Sequence, residues 1–306
     1  MSRVTSAKPT FWQVWLMAAR PRTLPAAAAP VLVGCGVAAW EGVFRPLPAV
    51  AAFLVGLLLQ IGANISNDYF DFKKGADTSE RVGPLRVTQA GLLTPRQVIG
   101  GMLVVFGLAA LIGLYLIWVA GLPALILGMV AILAALAYTG GPYPLAYHGW
   151  GEVFVLLFFG FAAVCGTYFV QAGRVSAAAL LASLPVGLLA MAILTVNNLR
   201  DIATDRVSGK HTLAVRLGER GAVIEYGVWI GLAYLAALLG VIAGILPAFA
   251  LISLLTLPRA VNLIQQVAHT RGRALNALLA KTGQLELLFA GLFTAGLLIS
   301  RWWSGF

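Results

Sequence analysis

The stretch Pro48-Ala49-Val50-Ala51-Ala52-Phe53-Leu54-Val55-Gly56-Leu57-Leu58-Leu59-Gln60-Ile61-Gly62-Ala63-Asn64-Ile65-Ser66-Asn67 carries no charge and stops at Asp68. Its length matches the roughly 20 residues that cross about 30 Å of hydrocarbon at 1.5 Å per residue. Inside lipid a segment must satisfy its own backbone hydrogen bonds, so such a run is a helix. A β-barrel would show short alternating segments instead. Similar runs recur at about 24–41, 97–118, 121–138, 151–171, 176–197, 221–243, 246–267 and 283–302, which makes nine predicted spans. The predicted fold class is therefore all-α: a polytopic membrane protein in which residues 1–306 form a single membrane-embedded domain. Before the first span, Phe11, Trp12, Val14, Trp15 and Leu16 predict an interfacial amphipathic helix over about 10–20. The very short turns at Ala120-Gly121 and Gly244-Ile245 predict tight helical hairpins.

Composition agrees. The chain is 60% hydrophobic and 10% charged, where a soluble domain carries roughly 25% charged residues. A soluble protein this apolar would expose more hydrophobic surface than water tolerates. The formal net charge of +10 does not point to nucleic acid, because the basic residues lie between spans rather than in one basic domain. Cys35 and Cys165 sit inside apolar runs without metal-ligand spacing and are expected as small core residues, not a disulfide. No small-residue cleavage site follows a short apolar core, so a signal peptide is not expected.

Lysine and arginine set the expected orientation. With the N-terminus in the cytoplasm, the cytoplasmic segments hold 18 of them and the opposite face keeps Arg45, Arg174 and Arg301. The C-terminus then lies outside. The aspartates are more lopsided still. Asp68, Asp71, Asp77, Asp201 and Asp205 are the only ones in the protein, and all fall in two loops on the cytoplasmic side. Each loop follows a span that ends in asparagine, Asn64 and Asn67 in the first case, Asn197 and Asn198 in the second. The two halves read as a weak internal repeat.

The spacing within each cluster is helical. Asn64, Asp68 and Asp71 lie at i, i+4, i+7; Asn197, Asp201 and Asp205 lie at i, i+4, i+8. Oxygens so spaced share a helix face. Stacked carboxylates repel, which calls for a cation, and hard oxygen ligands favour Mg²⁺. The expected ligands are Asp68, Asp71, Asp201 and Asp205, with Asn64, Asn67, Asn197 and Asp77 as further oxygen donors. Mg²⁺ takes one or two carboxylates and completes its shell from phosphate oxygens. Two facing clusters with interleaved Lys73, Lys74, Arg81, Arg86, Arg206 and Lys210 therefore suit a diphosphate bound through metal and held directly by basic side chains. Ionisable groups at membrane depth are functional by default.

The segment from Tyr138 to Glu152 is rich in Gly, Pro and Tyr and reads as a rigid turn. Tyr138 and Tyr143 are candidates to face a cation through their rings; the alternative is an interfacial aromatic belt. Asn276, Thr282, Gln284 and Glu286 are polar at a membrane edge, either for substrate contact or for helix packing. A transporter is a distant alternative; such proteins carry acids or broken helices near mid-bilayer, whereas here the acids cluster at one face.

These motifs are familiar together. Asn67-Asp68-Tyr69-Phe70-Asp71 followed by a second Asp-bearing loop resembles the UbiA superfamily of intramembrane aromatic prenyltransferases. Within it, Ala19 to Pro25, Asn67 to Thr78, Tyr138 to Glu152 and Asn197 to Gly218 resemble the 1,4-dihydroxy-2-naphthoate polyprenyltransferase branch. The superfamily's first motif often has aspartates four apart; here Asp71 follows Asp68 by three and the next acid is Asp77. The resemblance implies nine helices around a central cavity, Mg²⁺ dependence and a cytoplasm-facing site in the cell (inner) membrane. It implies a polyprenyl diphosphate donor and an aromatic acceptor; Arg22, Asn276 and Gln284 are the candidate acceptor contacts, and the sequence gives no ground to expect an obligatory protein partner. The implied reaction releases diphosphate and CO₂; 4-hydroxybenzoate and homogentisate are the alternative acceptors.

Overall fold

The computed structural model describes residues 9–75 and 82–303. Among them every regular element is helical: α1 Phe11–Ala19, α2 Pro25–Trp40, α3 Pro46–Lys73, α4 Pro95–Ala120, α5 Leu122–Ala137, α6 Gly151–Ala172, α7 Ala177–Val207, α8 Leu213–Ile242, α9 Ala248–His269 and α10 Leu275–Trp303. Seven of these are long and apolar enough to cross a membrane, and an eighth is gained if the bent pair α1 and α2 is one span. The remaining apolar helix, α5, has 16 residues, about 24 Å at the helical rise. The expected nine spans thus correspond approximately to α2 through α10.

Local chemistry sets the boundaries. Thr10 and Gln13 form a capping box that starts α1, and Thr94 and Gln97 form another at α4, where Pro95 occupies the first turn. Arg20, with φ of 52°, ends α1 in the left-handed region. The segments Phe11–Thr23 and Pro25–Trp40 then meet at a bend of 54°. Gly121, with φ of 72°, makes the hairpin between α4 and α5. Gly218 breaks the helical path inside α8 and separates a short lead-in turn from the span, which is why the apolar run begins only near residue 221.

α2 and α7 lie in the interior and α4 faces outward. Without a hydrophobic drive between helices in lipid, close approach depends on small residues. A Cβ on Gly34 of α2 would lie 2.6 Å from the Val164 carbonyl oxygen of α6. Gly160 and Gly187 bring α6 and α7 into backbone contact in the same way. Leu103, Leu111 and Trp118 of α4 are exposed and suit a lipid-facing surface. Arg45, Arg174 and Arg301 share one end of the molecule. There Arg174 pairs with Glu41 at 3.7 Å, the Arg45 amide donates to Gln171, and Arg301 packs against Gly42.

Candidate active site

Asp68 and Asp71 lie at the C-terminal end of the long helix α3, and Asp201 and Asp205 at that of α7, not in the expected loops. The helix dipole disfavours negative charge there, so the carboxylates need cations, and the structure supplies them. Asp71 is 2% exposed and is held by three partners: Arg86 Nη2 at 2.9 Å, Lys210 Nζ at 3.2 Å and the Tyr147 hydroxyl at 3.1 Å. Lys210 comes from the loop after α7 and also lies 3.9 Å from Asp205. One ammonium therefore joins the first cluster to the second. Lys210 and Lys74 each sit 4.8 Å from the centre of the Tyr147 ring, within the range of cation–π attraction. Lys74 also donates to the Thr139 carbonyl at 2.7 Å. Its pKa is lowered from the ordinary lysine value, chiefly by burial; nearby Asp71 opposes the shift and Lys210 adds to it.

The second cluster is organised by Arg200. Its guanidinium donates to Asp201 (Nε to Oδ1, 2.8 Å), to Asn197 Oδ1 at 2.8 Å and to Asn276 Oδ1 at 2.8 Å. Asn276 in turn donates to the Val82 carbonyl at 3.2 Å. In the first cluster, Asn64 donates to the Ala19 carbonyl at 3.0 Å and to Thr23 at 2.9 Å, tying α3 to the bend between α1 and α2. Asn67 accepts from the Thr139 hydroxyl at 2.8 Å. Asn198 reaches Glu152 at the start of α6, at 3.2 Å.

These groups form the polar end of a cavity of about 570 Å³. Asn64, Asn67, Asp71, Arg86, Tyr138, Asn197, Asp201, Asp205 and Lys210 all line it. Most of the remaining wall is apolar and comes largely from α2 through α7, including Val31, Leu59, Leu116, Leu125, Phe154 and Phe158, with Thr23, Gln60 and Thr167 among the polar exceptions. The cavity is thus amphipathic, with hard oxygens and cations at one end and hydrocarbon surface beyond.

Several expected contacts lie elsewhere. Asp68 does not line the cavity; it faces the segment after residue 82 and accepts from the amides of Val87 and Thr88 at 3.0 Å each. Tyr143 is exposed and stacks on His148 at 3.7 Å. Lys73, Arg206 and Arg22 are exposed and off the cavity wall. Gln284 is exposed on α10 and accepts from Arg259 at 2.8 Å. Lys74 reaches the site only through Tyr147, and Asn276 only through Arg200. Asp77 and Arg81 lie outside the described residues. In exchange the structure brings in Arg200 and Tyr147. Arg200 adjoins Asp201 in sequence, but a basic residue at a helix end reads as a topology marker. Tyr147 lies in the Gly/Pro/Tyr turn, where the sequence does not tell which ring faces inward.

Among the described residues no three Asp, Glu, His or Cys side chains converge as a ready metal cage. Mg²⁺ needs only one or two carboxylates when phosphate oxygens complete its shell. The donor set fits that ion: Asp71, Asp201 and Asp205 with amide oxygens beside them, and two of the carboxylates already within reach of one cation, Lys210.

Comparison with known proteins shows what the chain as a whole is similar to. The model of the UbiA prenyltransferase family matches residues 27–281. The chain is 39% identical over 303 residues to 1,4-dihydroxy-2-naphthoate octaprenyltransferase of Escherichia coli, covering 95% of this chain and 96% of that one. It is 39% identical over 277 residues to the protein of the same name from Mycobacterium tuberculosis, covering 90% and 94%. In fold it is similar to a UbiA homologue from Archaeoglobus fulgidus solved with DMAPP and Mg²⁺, with a TM-score of 0.68, 15% identity, and coverage of 92% and 98%.

Proposed function

Since the chain belongs to the UbiA prenyltransferase family, we propose that it transfers a polyprenyl group from polyprenyl diphosphate to 1,4-dihydroxy-2-naphthoate in a Mg²⁺-dependent reaction. The observation that carries this reading is the Lys210 bridge between Asp71 and Asp205 at the polar end of a largely apolar cavity. A prenyl diphosphate has the same two-part character, an anionic head on a hydrocarbon chain. The acceptor's identity comes from the relatives named above; 4-hydroxybenzoate and homogentisate are the alternatives.

Asp71, Asp201 and Asp205 would hold the metal, with Asn67 and Asn197 as neighbouring oxygen donors. Mg²⁺, when bound, neutralises charge developing on the diphosphate leaving group. Lys210 and Arg86 stand where they donate to phosphate oxygens directly. As the bond to the allylic carbon breaks, the apolar wall keeps water from that carbon. Tyr138, Phe154 and Phe158 present aromatic surface to the positive charge that forms there. The ring carbon that bears the acceptor's carboxylate attacks; the new carbon–carbon bond forms, CO₂ leaves, and the product is demethylmenaquinol. The aspartate end faces the cytoplasm, in keeping with the lysine and arginine distribution.

Purified protein with labelled polyprenyl diphosphate, MgCl₂ and a panel of the three acceptors tests this. Labelled prenylated naphthol is the expected product. Product with 4-hydroxybenzoate or homogentisate alone would replace the acceptor, and none with any acceptor would overturn the reading.

A further inference from the structure

Asp68 belongs to the motif that carries the family resemblance, yet its side chain serves a different purpose from that of Asp71. We propose that Asp68 is a positioning residue: it anchors the turn over 86–92 so that Arg86 reaches the diphosphate site, and it does not ligate metal. This rests on the reading of the site given above.

Asp68 is 1% exposed, and both its oxygens are engaged. Oδ2 accepts from the Val87 amide at 3.0 Å; Oδ1 accepts from the Thr88 amide at 3.0 Å and from the Thr88 hydroxyl. Hydrogen bonds to an ionised acceptor are the strong kind, and a carboxylate bound by backbone N–H groups fixes the loop that supplies them. The supplying segment is a compact turn, closed by Ala90 N to Arg86 O at 2.9 Å and Leu92 N to Val87 O at 3.0 Å. Val87 is fully buried in a small apolar cluster with Val14, Ile65 and Val98. The residue just before the anchor is Arg86, 4% exposed, which lines the cavity and meets Asp71 at 2.9 Å. Asp68 thus fixes, from one turn of α3, the backbone that delivers a cation to Asp71 on the next.

Helix geometry explains the division of labour. At about 100° per residue, Asn67 and Asp71 lie on one side of Asn64 and Asp68 on the other. Asn64, Asn67 and Asp71 line the cavity and Asp68 does not. A spacing that looks like one face is split between two tasks.

The role has a kinetic signature distinct from that of a metal ligand. Loss of Asp68 loosens Arg86 and weakens capture of the diphosphate, while the metal-binding oxygens stay in place. The experiment combines hydrogen exchange over peptides spanning 82–94 with steady-state kinetics in geranyl diphosphate and in MgCl₂, on Asp68→Ala, Thr88→Val and Thr88→Ser. Asp68→Ala is expected to lose exchange protection in that segment and to raise KM for the diphosphate about tenfold or more, the scale of hydrogen bonds lost from a charged acceptor. Its half-saturation for Mg²⁺ stays within about twofold of wild type on the same ground, that no metal ligand is lost. Thr88→Val shows the same pattern in weaker form, and Thr88→Ser, which keeps the hydroxyl, restores wild-type behaviour. A large rise in the Mg²⁺ requirement of Asp68→Ala with protection unchanged would make it a ligand and overturn the proposal. So would Thr88→Val with unchanged exchange and KM, an outcome that decides the matter even if Asp68→Ala does not fold. The exchange arm needs no turnover, so failure of the anchor is distinguishable from failure of the assigned reaction.

Discussion

Replacing Asp71 separates the chemistry of the site from its structural cost. Its carboxylate is the meeting point of Arg86, Lys210 and the Tyr147 hydroxyl, at 2.9, 3.2 and 3.1 Å. The Arg86 side chain opposite is 5% exposed, and Asp71→Ala removes the carboxylate 2.9 Å from its buried guanidinium. Removing one partner of a buried pair costs about 3–5 kcal/mol. Asp71→Asn keeps the shape and one acceptor oxygen and is expected to cost less, about 1–3 kcal/mol. Both variants lose an anionic metal ligand, and kcat is expected to fall by about 10²–10³-fold, the scale of one electrostatic group aimed at developing charge. Adding Arg86→Met to Asp71→Ala removes the buried guanidinium as well and recovers part of the stability, while the rate stays low. The assays are thermal unfolding in detergent and single-turnover transfer at saturating diphosphate and MgCl₂. Wild-type turnover in folded Asp71→Asn would refute the reasoning, as would a rate that returns together with stability in the double variant.

The other expectations follow the same geometry. Chelation with EDTA abolishes transfer and MgCl₂ restores it, because the donors at the mouth are hard oxygens; turnover in EDTA would remove metal from the account. Arg200→Met disorganises Asn197, Asp201 and Asn276 together and lowers kcat about a hundredfold, the loss expected when the support of a catalytic group is removed; single-turnover rates check this. A Cβ at Gly128 meets nothing within 4 Å and the residue lines the cavity. Gly128→Leu therefore fills the cavity and lowers kcat/KM about tenfold more for a long-chain donor than for dimethylallyl diphosphate.

The spans were legible because a lipid-crossing helix has few ways to be written. The run 48–67 lies within α3, and Ala120-Gly121 marks the hairpin of α4 and α5 where the structure has it. The span expected over 121–138 is α5, Leu122–Ala137, and the turn after it brings Tyr138 and Thr139 to the cavity wall. The aspartates are expected in two loops, whereas Asp68, Asp71, Asp201 and Asp205 lie in the last turns of α3 and α7, because both helices run past the end of their apolar stretch. Which oxygens face the cavity was less legible. The split between Asp68 and Asp71 depends on a rotation of a few tens of degrees about α3, finer than residue spacing resolves. Gln284 and Arg22 looked available to an acceptor because they are polar near the mouth, yet Gln284 is engaged by Arg259 on the outer side of α10. Arg200 was hidden by its charge, since a basic residue among acids suggests solvent, whereas here it is 5% exposed and bonded to three side chains.

The convergence of both clusters on one diphosphate is tested most directly by a structure with Mn²⁺ in place of Mg²⁺ and a non-hydrolysable prenyl diphosphate analogue. Anomalous density for the metal is expected at Asp71 and at the Asp201–Asp205 pair, with the diphosphate between them and the prenyl chain along Leu116, Leu125 and Phe158. Metal bound by Asp68, or a diphosphate that touches only one of the two clusters, would contradict the account.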